Sequence, residues 1–392
     1  IVQASDIGAV ANVPVSVATL ASLSDGTVPV SATITDVAGN VSAPSPVSSL
    51  TLDRAAPSAP SITSVPENNR AISAAEASDG VIVTVSLSGD ARAGDTLIVT
   101  INGSPTNVTL TATDISNGSV PVTIPNGTLP AADGTYSLTA QVIDAAGNTS
   151  APSAPFDITL DRGLPTTPAT APDMTAGTDS GVNNDDTTKD TTPDFAIPAP
   201  GVGETPSLYV DGAKVPATFD PLTNTLTPTS PLSEGPHSIS YTLTDAAGNE
   251  SARSPDLPVT IDTTAPAAPA APDMTTATDS GTNTGDDSTN DTTPDFTVAV
   301  PVGHTATLYV DGIAVPASLV AGVLTPTNPL PGGAHSISYT VTDPSGNESA
   351  QSSALPISID TAAPGTPTIT AAPENAGGGL NTAEASSHNS AG

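Results

Sequence analysis

The chain has no cysteine and no tryptophan. Without cysteine, neither a disulfide framework nor a thiolate metal site can exist. That absence is compatible with an extracellular protein that first passes through a reducing cytosol. Four Phe and five Tyr are the whole aromatic complement of 392 residues. Binding platforms that stack rings against a ligand need exposed aromatics, so a carbohydrate-binding module is disfavoured. Basic residues are equally scarce: 7 Lys plus Arg stand against 40 Asp plus Glu, for a net charge of −33. Phosphate backbones require clustered Lys and Arg, which argues against nucleic acid and anionic membrane as partners. Such a charge suits divalent cations or simple solubility. No membrane span or anchor pattern is visible, so membrane insertion is not expected of these residues. Charged residues are only 12% of the chain, and 32 Gly with 41 Pro fall short of the level at which disorder becomes the default.

What the chain does have is a repeat. Asp-x-x-Gly-Asn occurs at Asp36-Gly39-Asn40, Asp144-Gly147-Asn148, Asp245-Gly248-Asn249 and Asp343-Gly346-Asn347. Each copy is followed after 17 residues by a second aspartate, Asp53, Asp161, Asp262 and Asp360. A period near 100 residues with one fixed internal distance marks a tandem array of a single domain type. The expected organisation is the C-terminal half of a module over 1–53, complete modules over 54–161, 162–262 and 263–360, and the start of another over 361–392. The chain therefore reads as a piece of a longer array. Pro-rich junctions (Ala55 to Pro60, Leu164 to Pro168, Ala265 to Pro269, Ala363 to Pro367) separate the modules. They are short and fairly stiff, so neighbours must sit close together. Residues 162–262 and 263–360 are near copies, sharing Pro-Asp-Met, Thr-Thr-Pro-Asp-Phe and Leu-Tyr-Val-Asp-Gly. Residues 54–161 are of another type, whose opening motif Pro66-Glu67-Asn68 returns as Pro373-Glu374-Asn375.

The hydrophobic pattern is that of strands. Ile239, Tyr241 and Leu243 alternate with Ser238, Ser240 and Thr242, and Ile337, Tyr339 and Val341 repeat the alternation. Period two predicts one buried and one wet face. No 3.6-residue period persists long enough to predict a helix. Turn signals at Asp25-Gly26, Asp133-Gly134, Asp211-Gly212 and Asp311-Gly312 come at short intervals. About seven short strands per module predict an all-β chain, a tandem array of Ig-like antiparallel β-sandwich domains.

Asp-Ala-Ala-Gly-Asn, the later Ile-Asp-Thr-Thr-Ala-Pro and Asn290-Asp-Thr-Thr-Pro-Asp-Phe296 carry a resemblance. Together they resemble the bacterial Ig-like repeats of giant secreted adhesins, the biofilm-associated proteins and the extender regions of type I-secreted adhesins. The resemblance covers nearly the whole chain. It implies Ig-like folding, calcium between or within modules, and a place on the bacterial cell surface or in the extracellular medium. The glycine-rich nonapeptide calcium repeat of such adhesins is not present, which places the ligand-binding tip outside these residues.

Candidate ligands for calcium fall into two groups. At 3.3 Å per residue, a last strand of thirteen residues spans roughly 43 Å. Asp245 and Asp262 then sit at opposite poles and cannot share an ion. Asp262 instead faces Asp343 and Asn347 of the next module. By the same geometry Asp53 faces Asp144 and Asn148, and Asp161 faces Asp245 and Asn249, while Asp360 waits for a further module. The turn carboxylates Asp133 and Glu234 return to the linker pole, whereas the third module has Gly332-Gly333 there. Hard oxygen donors of this kind suit Ca²⁺. The competing reading is that Asp-x-x-Gly-Asn is simply good hairpin chemistry. The second group is an acidic loop, Asp179, Asp185, Asp186 and Asp190, with its counterpart Asp279, Asp286, Asp287 and Asp291. It is either a calcium loop or a solvated acidic loop, and it lacks the spacing and closing Glu of an EF-hand. Glu67, Glu76 and Asp79 are weaker candidates.

Catalytic constellations are missing. His237, His304 and His335 have no partner cluster for zinc, and no Gly-x-Ser-x-Gly elbow occurs. Tyr209, Tyr309, Tyr241 and Tyr339 read as core. Lys occurs only at 189 and 214, too few to staple every module through isopeptide bonds. The sequence thus predicts a non-enzymatic extender segment of a surface adhesin, stiffened by calcium at its junctions and supporting adhesion and biofilm formation. Its partners are the neighbouring repeats, with a host or abiotic surface met through regions outside this chain. Modules that themselves bind a surface or glycan, or accessory repeats of a secreted hydrolase, are the alternatives.

Overall fold

The computed structural model describes residues 19, 21–65 and 70–368. The opening motif at Pro66-Glu67-Asn68 and its copy at Pro373-Glu374-Asn375 lie outside them. The regular secondary structure of the described residues is nearly all strand, arranged as Ig-like, mostly antiparallel sheets. It divides into two compact units, one of residues 1–175, 192–232 and 236–259, the other of residues 176–191, 233–235 and 260–392.

In the repeat spanning 54–161, one sheet runs in the order Ala71–Ile72, Phe156–Leu160, Gly134–Ile143, Thr96–Ile101, Ser104–Thr109. A three-stranded sheet of Ser61–Ser64, Val81–Ser86 and Ser119–Ile124 packs over it. The core between them is aliphatic, with Ile72, Val83, Leu97, Val122, Leu138 and Ile158 all buried. Such β-branched and leucine side chains from two inner faces are what holds a sandwich together. The repeat spanning 263–360 has a five-stranded sheet, Ser288–Thr289, Leu355–Ile359, Gly333–Thr342, Thr305–Val310, Ile313–Val315. Facing it is a four-stranded sheet, Asp273–Met274, Phe296–Thr297, Val323–Pro326, Ala317–Val320. Phe296, Leu308, Leu324, Ile337 and Tyr339 fill the space between. Each of these strands has a counterpart in 162–262, from Asp173–Met174 to Leu257–Ile261. A short second strand pairs in parallel with the last strand in every complete repeat: Ile72 with Leu160, Thr188 with Ile261, Thr289 with Ile359.

The turn chemistry is as the sequence predicts. Asp211 and Gly212 have φ of +51° and +80°, as do Asp311 and Gly312. Positive φ at both central residues is the type I′ hairpin, whose twist matches the flanking strands.

Three expectations change. Two six-residue helices, Ala74–Asp79 and Ala112–Asn117, appear in the 54–161 repeat. Each is fixed by a reciprocal capping box, Ser73 with Glu76 and Thr111 with Asp114. Helices this short leave no 3.6-residue period to read. The last strand is also shorter than thirteen residues. Only Leu257–Ile261 is strand, and before it Ser251 and Ser254 hold the chain, their hydroxyls accepting the N–H groups of Leu243 and Tyr241. Finally, the face expected to be wet is covered. Ser240, Thr242, Ser338 and Thr340 are buried. Thr242 donates to Glu250 (2.5 Å), and Tyr209 donates to the same carboxylate (2.9 Å), with Arg253 over the tyrosine ring. Tyr209 and Tyr309 are half-buried lids on this outer face, while Tyr241 and Tyr339 are the core tyrosines.

Candidate functional site

The Asp-x-x-Gly-Asn hairpins are built from local chemistry. In the second copy Asp144 Oδ1 accepts the N–H groups of Ala146 (2.9 Å) and Asn148 (2.8 Å), and Oδ2 accepts the Asn148 side-chain amide (2.8 Å). The Asp36 and Asp245 copies make the same three bonds. Asp343 takes the main-chain and side-chain nitrogens of Asn347. Gly147, Gly248 and Gly346 sit at φ between +85° and +95°, where a Cβ is disfavoured. The Asn side-chain bond, foremost, holds the carboxyls of Asp36 and Asp144 below the usual carboxylate range.

The asparagine then reaches across a junction. Asn148 Nδ2 donates to the Asp53 carbonyl (3.1 Å), Asn249 Nδ2 to the Asp161 carbonyl (2.8 Å), and Asn347 Nδ2 to the Asp262 carbonyl (2.7 Å). The other side of Asn249 accepts the Ala74 N–H at 2.8 Å. The linker aspartate is therefore grasped through its main chain. Its carboxylate caps its own turn: Asp53 on Ala55, Asp161 on Gly163, Asp262 on Thr264 and Asp360 on Ala362. Asp262 also accepts the Ser345 hydroxyl (2.9 Å).

The turn carboxylates do return to the linker, and there they meet donors. Asp133 takes the Arg162 guanidinium at 2.7 Å, as Asp25 takes Arg54 at 2.8 Å. Glu234 accepts the Thr263 hydroxyl (2.6 Å) and N–H (3.0 Å). These bonds depress the carboxyls of Asp25, Asp133 and Glu234. Asp53 and Asp144 share one cleft of about 540 Å³ with Asp90, Asp95 and Arg92. Asp90, bonded by Ser88 and Ser58, is lowered to about 2. Among the described residues no three His, Asp or Glu side chains form a group ready to hold a metal.

The acidic loops behave differently from the junctions. Asp179 is 4% exposed and Asp279 2%. Asp179 Oδ2 accepts the Asn184 N–H (2.6 Å) and Asp279 Oδ2 the Asp287 N–H (3.3 Å). In both, Oδ1 is buried and has no hydrogen-bond partner. Asp185, Asp286 and Asp291 cap turns on Thr187, Ser288 and Thr293. Asp186 contributes its carbonyl to the Thr260 N–H, as Asp287 does to Ser358. Asp190 donates its N–H to the Thr188 hydroxyl.

The first of these loops also docks on the 343–347 hairpin, which sequence reading missed. Val182 N–H donates to the Pro344 carbonyl (2.9 Å), the Ser180 hydroxyl to the Ser345 carbonyl (2.5 Å) and Lys189 Nζ to the Gly346 carbonyl (2.6 Å). The only available signal was the repeated Asp-Ser-Gly: Gly181 has φ +82°, and a Cβ there would lie 1.9 Å from the Pro344 oxygen.

A family profile described as bacterial Ig-like domain matches residues 60–162, 166–263 and 265–361. Among solved structures, the chain is similar to a Ca²⁺-stabilized adhesin that helps an Antarctic bacterium bind ice. Identity is 21% over 86% of this chain and 82% of that one, with a TM-score of 0.37. It is similar to a 1.5-MDa bacterial ice-binding adhesin at 18% identity, over 78% of this chain and 99% of that one, with a TM-score of 0.31. A single Ig-like domain from the M. primoryensis ice-binding adhesin is 29% identical over 27% of this chain and 100% of its own length, with a TM-score of 0.21. No curated relative matches the chain. No helix among the described residues is long and apolar enough to cross a membrane.

Proposed function

Because the chain belongs to the bacterial Ig-like domain family, we propose that it is a non-enzymatic extender segment of a large repetitive surface adhesin. Its modules are 54–161, 162–262 and 263–360, flanked by partial modules at 1–53 and 361–392. It works outside the cell, on the bacterial surface or in secreted form, and supports attachment and biofilm formation by carrying a binding tip away from the cell. One observation carries this reading. At three successive junctions the same hairpin asparagine bonds the carbonyl of the aspartate that ends the preceding repeat. A joint that recurs with every repeat suits a chain whose task is spacing.

The junction carboxylates expected to share calcium, Asp53, Asp161, Asp262, Asp133 and Glu234, are engaged by protein donors. An arginine at two of these turns supplies the positive charge that an ion would bring. This donor set fits a hydrogen-bonded joint better than an ion cage.

The test is surface display. The array is placed between a membrane anchor and a tip of known ligand, in its full length and shortened by one or two repeats. Capture of ligand-coated beads should fall as repeats are removed, and the array without a tip should capture nothing. Adhesion to glycan or plastic by the tipless array would replace this reading with that of a binding module.

A further inference from the structure

We propose that the edge strand Ala317–Val320 is a self-association surface, on which a second copy of this chain pairs its own Ala317–Val320 antiparallel across a two-fold axis at Ser318. The inference rests on the edge of the 263–360 repeat alone and stands whether or not the chain serves as an extender.

The starting point is an open edge. Ile313–Val315 ends one sheet of that repeat and Ala317–Val320 ends the other, with Pro316 between them. The ladder to Val323–Pro326 uses one side of Ala317–Val320. The Thr327 N–H donates to the Pro316 carbonyl (2.9 Å), and the register sets Ser318 opposite Thr325. Bonded pairs alternate along an antiparallel ladder. The main chain of Ser318 and Val320 therefore faces the sheet, while Ala317 and Leu319 turn their N–H and C=O groups to the open side. A row of such groups is a template for another strand.

The devices that guard the other repeats are missing here. In 162–262 the same edge carries Lys214 and Asp220. In 54–161 the edge strands Ser104–Thr109 and Ser119–Ile124 carry Pro105 and Pro121. Charge and proline are what ordinarily keeps one edge from pairing with another. Ala314 and Val320 stand where Lys214 and Asp220 would be. Among the described residues, the large apolar side chains that 263–360 leaves exposed are Val302, Ile313, Leu319 and Val320. All but Val302 lie on this edge, with Ile313 70% and Val320 69% exposed.

Charge selects the occupant. Residues 312–342 hold no Asp, Glu, Lys or Arg, in a chain of net charge −33. Two copies repel wherever their carboxylates face each other, and this edge lets them close without setting like charges together. A basic or acidic partner would meet no opposite charge here and would lose hydration uncompensated. Self-pairing also satisfies the main chain. With Ser318 opposite Ser318, Ala317 of each copy faces Leu319 of the other, and both pairs can exchange N–H and C=O bonds. Such an isologous contact covers both edges at once. A four-residue strand buries less than the roughly 1,200 Å² of a stable interface, so the contact is weak, reversible and concentration-dependent.

The experiment is sedimentation velocity of the full chain over a range of concentrations, for wild type, Ser318→Asp, Ser318→Lys and an equimolar mixture of these two variants. Ser318 is exposed, so neither change should unfold the repeat, and thermal melts check this. Wild type should pass reversibly from monomer to dimer as concentration rises. Added salt should strengthen the dimer, because it screens the repulsion between the remaining acidic surfaces. Each variant alone should stay monomeric where wild type is half dimeric, since like charges then stand opposite each other at the axis. The mixture should recover the dimer, because Asp then meets Lys. Thr218→Asp, at the equivalent place in 162–262, should dimerise as wild type does. A wild type that stays monomeric throughout, equally strong dimers of Ser318→Asp, or a mixture that remains monomeric would each overturn the proposal.

Discussion

The Asn249 side chain joins two repeats with both of its polar atoms: its amide donates to the Asp161 carbonyl at 2.8 Å, and its oxygen accepts the Ala74 N–H at 2.8 Å. At 4% exposure it cannot exchange these partners for bulk water. Asn249→Ala would leave a carbonyl and an N–H unsatisfied. The expected loss is about 1–3 kcal/mol in the stability of that junction. Hydrogen exchange at the Ala74 amide should accelerate in the variant. Exchange at the wild-type rate would mean that the bond does not bear on the joint.

Gly181 and Gly281 are equivalent in sequence and unequal in space. A Cβ at Gly181 would meet the Pro344 oxygen at 1.9 Å and the Gly346 nitrogen at 2.6 Å, whereas nothing lies within 4 Å at Gly281. Gly281→Ala should cost only its positive φ, about 1–2 kcal/mol. Gly181→Ala must also expel the loop from the hairpin, so it should cost clearly more and deprotect the Val182 amide. Equal melting temperatures for the two variants would contradict the docking.

His335 has acceptors at both ring nitrogens, Asp311 at Nδ1 and the Pro331 carbonyl at Nε2, each at 2.8 Å. A neutral imidazole can donate from only one nitrogen, so this setting favours the cation. Its pKa is raised, first by the Asp311 bond and then by the carbonyl, while the Asp311 carboxyl is lowered in return. A raised folded-state value places the stabilisation below the unfolded value near 6.5 and removes it as pH climbs through the folded one. The NMR titration midpoint of His335 should therefore exceed 6.5. His335→Gln should flatten the loss of stability between mildly acidic and mildly alkaline pH. A midpoint below the ordinary value would refute the pairing.

Acid should act in the opposite sense at the hairpins. Asp144 is depressed below its ordinary 3.8 by the Asn148 bond. Its contribution is present above that value and is lost as pH falls through the folded one. Wild type should lose melting temperature steeply below pH 4, and Asp144→Ala, already lacking the three bonds, should lose less over the same range. Parallel curves for the two proteins would count against this.

Much of this was readable from the chain. The alternation around Ile239 and Ile337 announces strands, and Asp311-Gly312 announces a type I′ turn, because both depend on adjacent residues alone. The hairpin role of Asp-x-x-Gly-Asn is legible for the same reason. The grasp of Asn249 on Asp161 was foreseen only as a facing of modules. That the carbonyl, and not the carboxylate, is the group taken depends on where a linker lies in space. The burial of Ser240 and Thr242 escaped because Tyr209, Glu250 and Arg253, distant in sequence, build a roof over a face that polarity alone marks as wet.

By itself, the sequence determined a tandem array of all-β modules and the turns within each, since period two and positive φ are properties of neighbouring residues. Only the tertiary structure decided that Ser180 meets Ser345 across 165 positions and that Asp179 and Asp279 are sealed from water with one oxygen unmet. Those outcomes turn on packing between segments remote along the chain, which no local pattern records.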